Sequence, residues 1–364
     1  MNESALPPTR KRASISTGRK IVYSIFTVAV VFAVFEMIIR LTGFQYGNQL
    51  EQMRFTFPVD EYNANSDEPL LKYDRDLFWR PIPHSLEHNS RGFSTPEFDS
   101  NKPDGVYRIV CLGDSCTHFG PNSYPELLQT LLDHQLSDPF EVINAGTIGY
   151  TTHQGLTLLE NEVLGWKPDL VTVYFGWNDH WLSRGVADKD QSAGVVVLPS
   201  AIEKVRILQL FRFLHQETIK PTDRPLRVGI EDYQANLQQM IELCRQQQVA
   251  IWLITAPQAL DIAVPAYLVT SGEVSDPDYI VELHETYNDV VRRVASESGV
   301  PLIDLAETVA SLDKRTIFLP DHIHLSDSGK IVTAGLLYQK LQSGRPTTQK
   351  KPSEQSSPDG LSIE

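Results

Sequence analysis

From Val106 onward, short apolar runs alternate with longer amphipathic segments, and no other property of the sequence restricts the fold as much. Residues 108–112, 141–144, 170–175, 250–255 and 301–305 read as buried strands. Apolar spacing near 124–136, 155–164, 232–247, 279–298 and 328–341 predicts helices between and after them. Strands that are apolar nearly throughout belong to a parallel sheet covered on both faces, with helices as the crossovers. In such a sheet the carboxyl ends of the strands share one edge, and reactive groups collect there. The chain has 364 residues, enough for one α/β domain together with a membrane segment and flanking peptides.

The polar residues fall where that edge is expected. The first strand runs into Gly113-Asp-Ser-Cys-Thr117, the second into Asn144-Ala-Gly-Thr-Ile-Gly149, and the third into Gly176-Trp-Asn-Asp179. A serine hydroxyl is a poor nucleophile near neutral pH unless an imidazole lies within hydrogen-bond reach, itself held in one tautomer by a carboxylate. Asp321-His-Ile-His324 supplies both groups. A two-residue spacing lets the Asp321 carboxylate fold onto Nδ1 of His324 and leaves Nε2 for Ser115; His322 is the competing base. A phosphate-cradling loop is the rival reading of the first turn, but the Lys-Ser or Lys-Thr pair that such a loop requires does not follow Gly113 and Gly120.

Gly113-Asp114-Ser115 with Thr117, then Gly149, then Gly176-x-Asn178-Asp179, then Asp321-x-x-His324, in this order and on these strand ends, resembles the SGNH (GDSL-type) hydrolase superfamily over about 107–341. The resemblance implies a flavodoxin-like three-layer α/β/α sandwich around five parallel strands. It implies a Ser115-His324-Asp321 triad, with an oxyanion hole of the Ser115 amide, the Gly149 amide and the Asn178 side chain. Elementary chemistry agrees, because an acyl-transfer intermediate needs donors aimed at its new negative oxygen. The expected activity is hydrolysis of an acyl or acetyl ester on a carbohydrate or lipid. An O-acyltransferase acting on an envelope or exported polysaccharide, and a catalytically silent binding module, are the alternatives.

Several neighbouring residues carry blander expectations. Asp114 and Asp179 read as turn-holding carboxylates. His118, His153 and His180 read as site-edge or surface residues, and Tyr150, Trp177 and Trp181 as an aromatic rim suited to sugar rings. Cys111, Cys116 and Cys244 show neither metal-ligand nor redox spacing, Cys111 reading as a buried small hydrophobe. No metal motif such as His-Glu-x-x-His occurs, so neither metal nor cofactor is expected.

Near the N-terminus, 21–35 is almost wholly apolar, and Met37, Ile38, Ile39 and Leu41 extend it to about the 20 residues a bilayer demands. Glu36 and Arg40 interrupt its far end, four apart on one helix face where they can pair. A cleaved signal peptide and a buried soluble helix are the rivals, but the small residues of a cleavage site do not follow. The expected organisation is a solvated basic segment over 1–20, a single-pass anchor over 21–44, an irregular stalk over 45–105, the hydrolase domain over 106–342 and a polar tail over 343–364. Arg10, Lys11, Arg12, Arg19 and Lys20 precede the span, which predicts a cytoplasmic N-terminus and an extracytoplasmic domain. A formal net charge of −14 argues against a nucleic-acid partner. Residues 179–230 form a long insertion after the third strand, with an apolar run over 194–198 and a basic amphipathic piece over 205–214, and a lid is one use for it.

Overall fold

The computed structural model describes residues 16–44, 71–74, 76–85, 88–120, 122–183, 187–190, 202, 204–218, 224–270, 272–274 and 276–344. The basic residues Arg10, Lys11 and Arg12, most of the expected stalk, the 194–198 run and all but the first residues of the expected tail lie outside them. The chain divides into two compact units, one drawn from 1–48 with 197–218 and the other from the remainder.

In the first unit, α1 (Thr17–Leu41) is a 25-residue helix with mean hydropathy 2.3 over its most apolar stretch, long and apolar enough to cross a membrane. It begins earlier than the sequence reading, so Arg19 and Lys20 belong to its first turns and not to a solvated tail. Glu36 and Arg40 pair at 2.7 Å.

In the second unit, a hairpin comes first. β1 (Leu71–Asp74) and β2 (Phe78–Pro81) run antiparallel where the sequence shows no period. Leu77, Phe78 and Trp79 are buried against the domain core, so this piece packs as part of the domain and not as an irregular lead-in.

The main sheet then begins with β3 (Tyr107–Gly113), followed by α2 (Ser115–His118), α3 (Tyr124–Gln135), β4 (Phe140–Gly146), α4 (Thr152–Asn161) and β5 (Leu170–Tyr174). The insertion supplies α5 (Arg206–Thr218) to the first unit. Back in the second unit come α6 (Ile230–Gln246), β6 (Ala250–Ile254), α7 (Ala266–Thr270), α8 (Ile280–Ser298), β7 (Leu302–Ile303), α9 (Leu305–Ala310), α10 (Lys314–Ile317) and α11 (Asp327–Ser343). β7 is shorter than the predicted 301–305 because Asp304 caps α9, its side chain accepting from the Glu307 amide.

The five strands β3 to β7 are all parallel, in the spatial order β4-β3-β5-β6-β7. Counting only these strands, that is 2-1-3-4-5, the flavodoxin-like order, whose direction of winding reverses between the first and third strands. Alternation along β3 divides the core in two: Ile109 and Cys111 join one cluster with residues of α3 and α11, while Val110 and Leu112 join another with residues of α4, α6 and α8. The sheet is therefore sandwiched between two helical layers, as the sequence predicts.

The insertion leaves and rejoins this unit through a closed neck. The Val228 amide donates to the Asp179 carbonyl at 2.9 Å, Arg227 to Trp181 at 2.8 Å and Ser183 to Pro225 at 2.8 Å, with Leu182 and Leu226 bridged antiparallel.

Candidate active site

The site forms at the carboxyl ends of β3, β4 and β5, where the winding reverses. β3 ends at Gly113, and a side chain there is sterically impossible: a Cβ would lie 2.0 Å from Thr117 Oγ1 and 2.7 Å from the Tyr174 carbonyl oxygen. The chain turns directly into α2, whose first residue is Ser115. Asp114 caps it, its carboxylate accepting from the Cys116 amide at 2.8 Å. Asn144, at the end of β4, donates to the Thr117 carbonyl at 2.9 Å and so fixes the other end of this short helix.

The second component is a loop of four residues. Asp321 Oδ1 accepts the amides of Ile323 and His324 at 3.0 and 2.9 Å, and its Oδ2 meets His324 Nδ1 at 2.6 Å. His322 adopts a left-handed φ of 61°, which completes the tight turn and sends its own ring away to the Ala263 carbonyl at 2.6 Å. His324 Nε2 lies 2.8 Å from Ser115 Oγ across 209 residues of sequence, and Phe119 packs edge-on against its ring at 4.5 Å. Burial alone would raise the Asp321 carboxyl, but the His324 ring bond and charge, with the two amides, bring it below the usual carboxylate range.

The third component is a set of donors. Gly149 has φ of 76°, a left-handed conformation that a larger residue would strain to hold. Among the described residues neither the Ser115 amide nor the Gly149 amide donates a backbone hydrogen bond. Asn178 Nδ2 donates to the Tyr150 carbonyl at 3.0 Å and has a longer contact of 3.4 Å to Asp114 Oδ2.

Residues that sequence reasoning missed hold this turn. Trp79 Nε1 donates to the Ile148 carbonyl at 2.9 Å. That carbonyl shares a trans peptide with the Gly149 amide, so holding the oxygen on one side aims the N–H to the other. The next carbonyl, that of Gly149, accepts from Arg227 Nη1 at 2.7 Å. The Arg227 guanidinium is only 2% exposed; it also meets Asp188 at 3.0 and 3.3 Å and Gln154 Oε1 at 3.0 Å. Thr151 Oγ1 donates to the same Asp188 carboxylate at 2.8 Å. In sequence, Trp79 sits in a stretch without period and Arg227 at the end of an insertion, and neither position carries a local signal.

The structure corrects two expectations about neighbouring residues. Tyr150, Trp177 and Trp181 are buried core residues and form no rim: the Trp177 ring lies 4.1 Å from that of His284 on α8 and 6.0 Å from that of Trp181, and Tyr150 packs edge-on against Trp79 at 5.9 Å. His118 and His180 are likewise buried, and burial together with His88 pushes the His118 imidazole down to about 4. His153 is half-buried and stacks on Phe78 at 5.9 Å. The carboxylates at 114 and 179 hold turns as expected, Asp179 Oδ1 accepting from the Thr152 amide at 2.9 Å and its hydroxyl at 2.6 Å. Burial pushes each of these carboxyls up to about 7. Cys116 is buried, which raises its thiol well above the ordinary range and keeps it protonated and unreactive.

No curated protein matches the chain. Among solved structures, the lipase/acylhydrolase from Enterococcus faecalis is similar over 65% of this chain and 96% of its own, at 20% identity and a TM-score of 0.46. The acetyl xylan esterase AlAXEase is similar over 64% of this chain and 99% of its own, at 18% identity and a TM-score of 0.45. A catalytic mutant of Axe2, an acetylxylan esterase from Geobacillus stearothermophilus, is similar over 65% and 94%, at 18% identity and a TM-score of 0.42. The model of the GDSL-like Lipase/Acylhydrolase family matches residues 111–330, a stretch that opens inside β3 and closes just after His324. Since that stretch is more than half of the chain, the protein belongs to the GDSL-like lipase/acylhydrolase family and is an ester hydrolase of the SGNH type.

Proposed function

We propose that Ser115, His324 and Asp321 act as nucleophile, base and orienting carboxylate in hydrolysis of an acyl ester, and that the Ser115 and Gly149 amides with Asn178 Nδ2 form the oxyanion hole. The observation that carries this reading is the continuous chain of contacts from Asp321 Oδ2 through both ring nitrogens to Ser115 Oγ, at 2.6 and 2.8 Å. In the first step Ser115 Oγ attacks the ester carbonyl carbon while His324 Nε2 takes the hydroxyl proton. The carbonyl oxygen becomes the oxyanion and turns toward the three donors, with Asn178 exchanging its long contact to Asp114 for the substrate. Collapse expels the alcohol, which leaves with the proton from His324, and a water deprotonated by the same ring then releases the acid.

α1 is read as an uncleaved anchor with the basic N-terminus in the cytoplasm, which puts the hydrolase domain on the far side. By chain continuity the enzyme then works beside a membrane, and the favoured substrates are acylated lipids or glycans at that surface. The buried Tyr150, Trp177 and Trp181 withdraw the rim argument for sugars, so the anchor alone supports this choice of carrier.

The test is labelling of membrane fractions with a fluorophosphonate probe, with mass spectrometry to locate the adduct. The expected adduct is on Ser115, and Ser115→Ala is expected to lose at least about 10⁴-fold in kcat on a short p-nitrophenyl ester. A variant as active as the parent would remove the nucleophile from this scheme. Products formed with a sugar acceptor present separate hydrolysis from acyl transfer, since either water or an alcohol can capture the acyl-serine.

A further inference from the structure

Within the unit that contains α1, the far end of the apolar helix is not idle. Glu36 Oε1 accepts the Arg206 amide at 3.0 Å and Oε2 accepts the Ile207 amide at 3.0 Å, which are the first two amides of α5. Arg40 Nε donates to Glu36 Oε1 at 2.8 Å, and Arg40 Nη2 donates to the Lys204 carbonyl at 2.8 Å. Phe44 and Phe213 meet edge to face at 5.8 Å. A carboxylate near the end of an apolar span is costly unless it is matched; here both oxygens take charge-assisted bonds at a helix N-terminus, where negative charge is favoured.

Along α5, Ile207 and Gln209 are buried, while Leu208, Phe211 and Leu214 are 37, 67 and 49% exposed, spread over an arc of roughly 120° that also contains Ile207. Other exposed large apolar residues after α1, such as Ile262 and Ile331, lie far apart in sequence, and single exposed apolar residues are ordinary on a protein surface. The exposed apolar residues of α5 instead lie in the unit whose other exposed apolar surface is α1, and Lys204 and Arg206 stand at the start of the helix in a chain of net charge −14. Cationic charge beside an apolar stripe matches anionic headgroups over acyl chains.

We infer that α5 is an interfacial helix: it lies on the lipid surface where α1 leaves the bilayer, with Leu208, Phe211 and Leu214 in the acyl boundary and Glu36 fixing its N-terminus. The inference rests on the reading of α1 as an uncleaved anchor. The hydrolase chain then returns to the membrane through its insertion and is attached there at two points.

The test uses the full-length protein in vesicles of phosphatidylethanolamine and phosphatidylglycerol, nitroxide-labelled singly at Leu208→Cys, Phe211→Cys or Leu214→Cys. Val28→Cys on α1 and Glu160→Cys on α4 are the references, and the three native cysteines are buried. Power saturation compares collisions with oxygen, enriched in lipid, and with a water-soluble nickel chelate. The three α5 labels are expected to side with Val28 and not with Glu160. If they read as Glu160 does while Val28 reads as lipid, α5 lies in water and the inference falls with the anchor intact. If Val28 also reads as water, the anchor reading itself has failed. Dipolar broadening at Phe211 that disappears on dilution with unlabelled protein would assign the stripe to a second copy and overturn the inference. Glu36→Ala is expected to shift the Phe211 label toward the nickel-accessible phase and leave Val28 unmoved; no shift would remove Glu36 from the arrangement.

Discussion

The two sides of the proposed site are built in opposite ways. On the base side, the hydrogen bonds that orient the His324 ring toward the serine come from its own loop: one carboxylate takes the ring and two amides, and a single left-handed residue closes the turn. On the oxyanion side, the Gly149 turn is held by Trp79, 69 residues before the carbonyl it binds, and by Arg227, 78 residues after. The first side is a local motif that any chain containing it can form. The second exists only after the hairpin and the neck of the insertion have packed, so its geometry depends on tertiary stability.

The largest expected effect tests the local side. Asp321→Asn keeps an oxygen for the two amides but no longer fixes the ring tautomer, and kcat is expected to fall about 10⁴-fold with the melting temperature nearly unchanged. A loss below tenfold would show that the carboxylate has no part in orienting the base.

Arg227→Met tests the distant side and should separate the two in kind. It leaves Asp188 buried without its guanidinium, so stability is expected to fall by about 3 to 5 kcal/mol. Among molecules that remain folded, kcat is expected to drop with little change in KM, and Arg227→Lys is expected to restore part of both. A folded Arg227→Met enzyme with parental kcat would mean that the Gly149 carbonyl needs no such brace.

A pH experiment probes the base of the nucleophile turn. Burial raises the Asp114 carboxyl to about 7, with the Cys116 amide opposing. Below the unfolded value near 4 both states hold the proton; between about 4 and 7 the unfolded chain releases it while the fold retains it. This group's contribution is therefore full at low pH, is lost as pH rises through that window, and is level above it. The total is up to about 4 kcal/mol, shared in sign with Asp179. Asp114→Asn is expected to flatten that slope in urea titrations, and curves parallel to the parent's would refute the assignment.

The smallest effect is expected from Trp79→Phe, which keeps most of the packing and deletes one donor. About 1 kcal/mol of stability and less than tenfold in kcat should be lost. A larger kcat loss than that of Arg227→Met would reverse the relative weight of the two braces.

The same contrast explains what could be read from the sequence. The parallel sheet was legible because each strand is largely apolar and the first three run into turns of glycine and polar residues, as in 108–117. Asp321 and His324 were legible because three-residue spacing fixes their geometry locally. Trp177 was misplaced because α8, more than 100 residues later, determines whether an aromatic after β5 is rim or core. Arg227 gave no signal, since a guanidinium in a loop looks solvated until Asp188, Gln154 and the Gly149 carbonyl close around it.

The closed neck at 179–183 and 225–228 has a consequence for how such a chain can vary. The ends of the excursion are already held together, so adding residues between them costs closure entropy that grows only with the logarithm of length. An insertion mounted this way can lengthen, shorten or be exchanged for another with little thermodynamic penalty, as long as Asp188 and Arg227 remain at its two feet. The length of the insertion and the chemistry of the serine can thus be altered independently, since Ser115 follows β3 and the insertion follows β5.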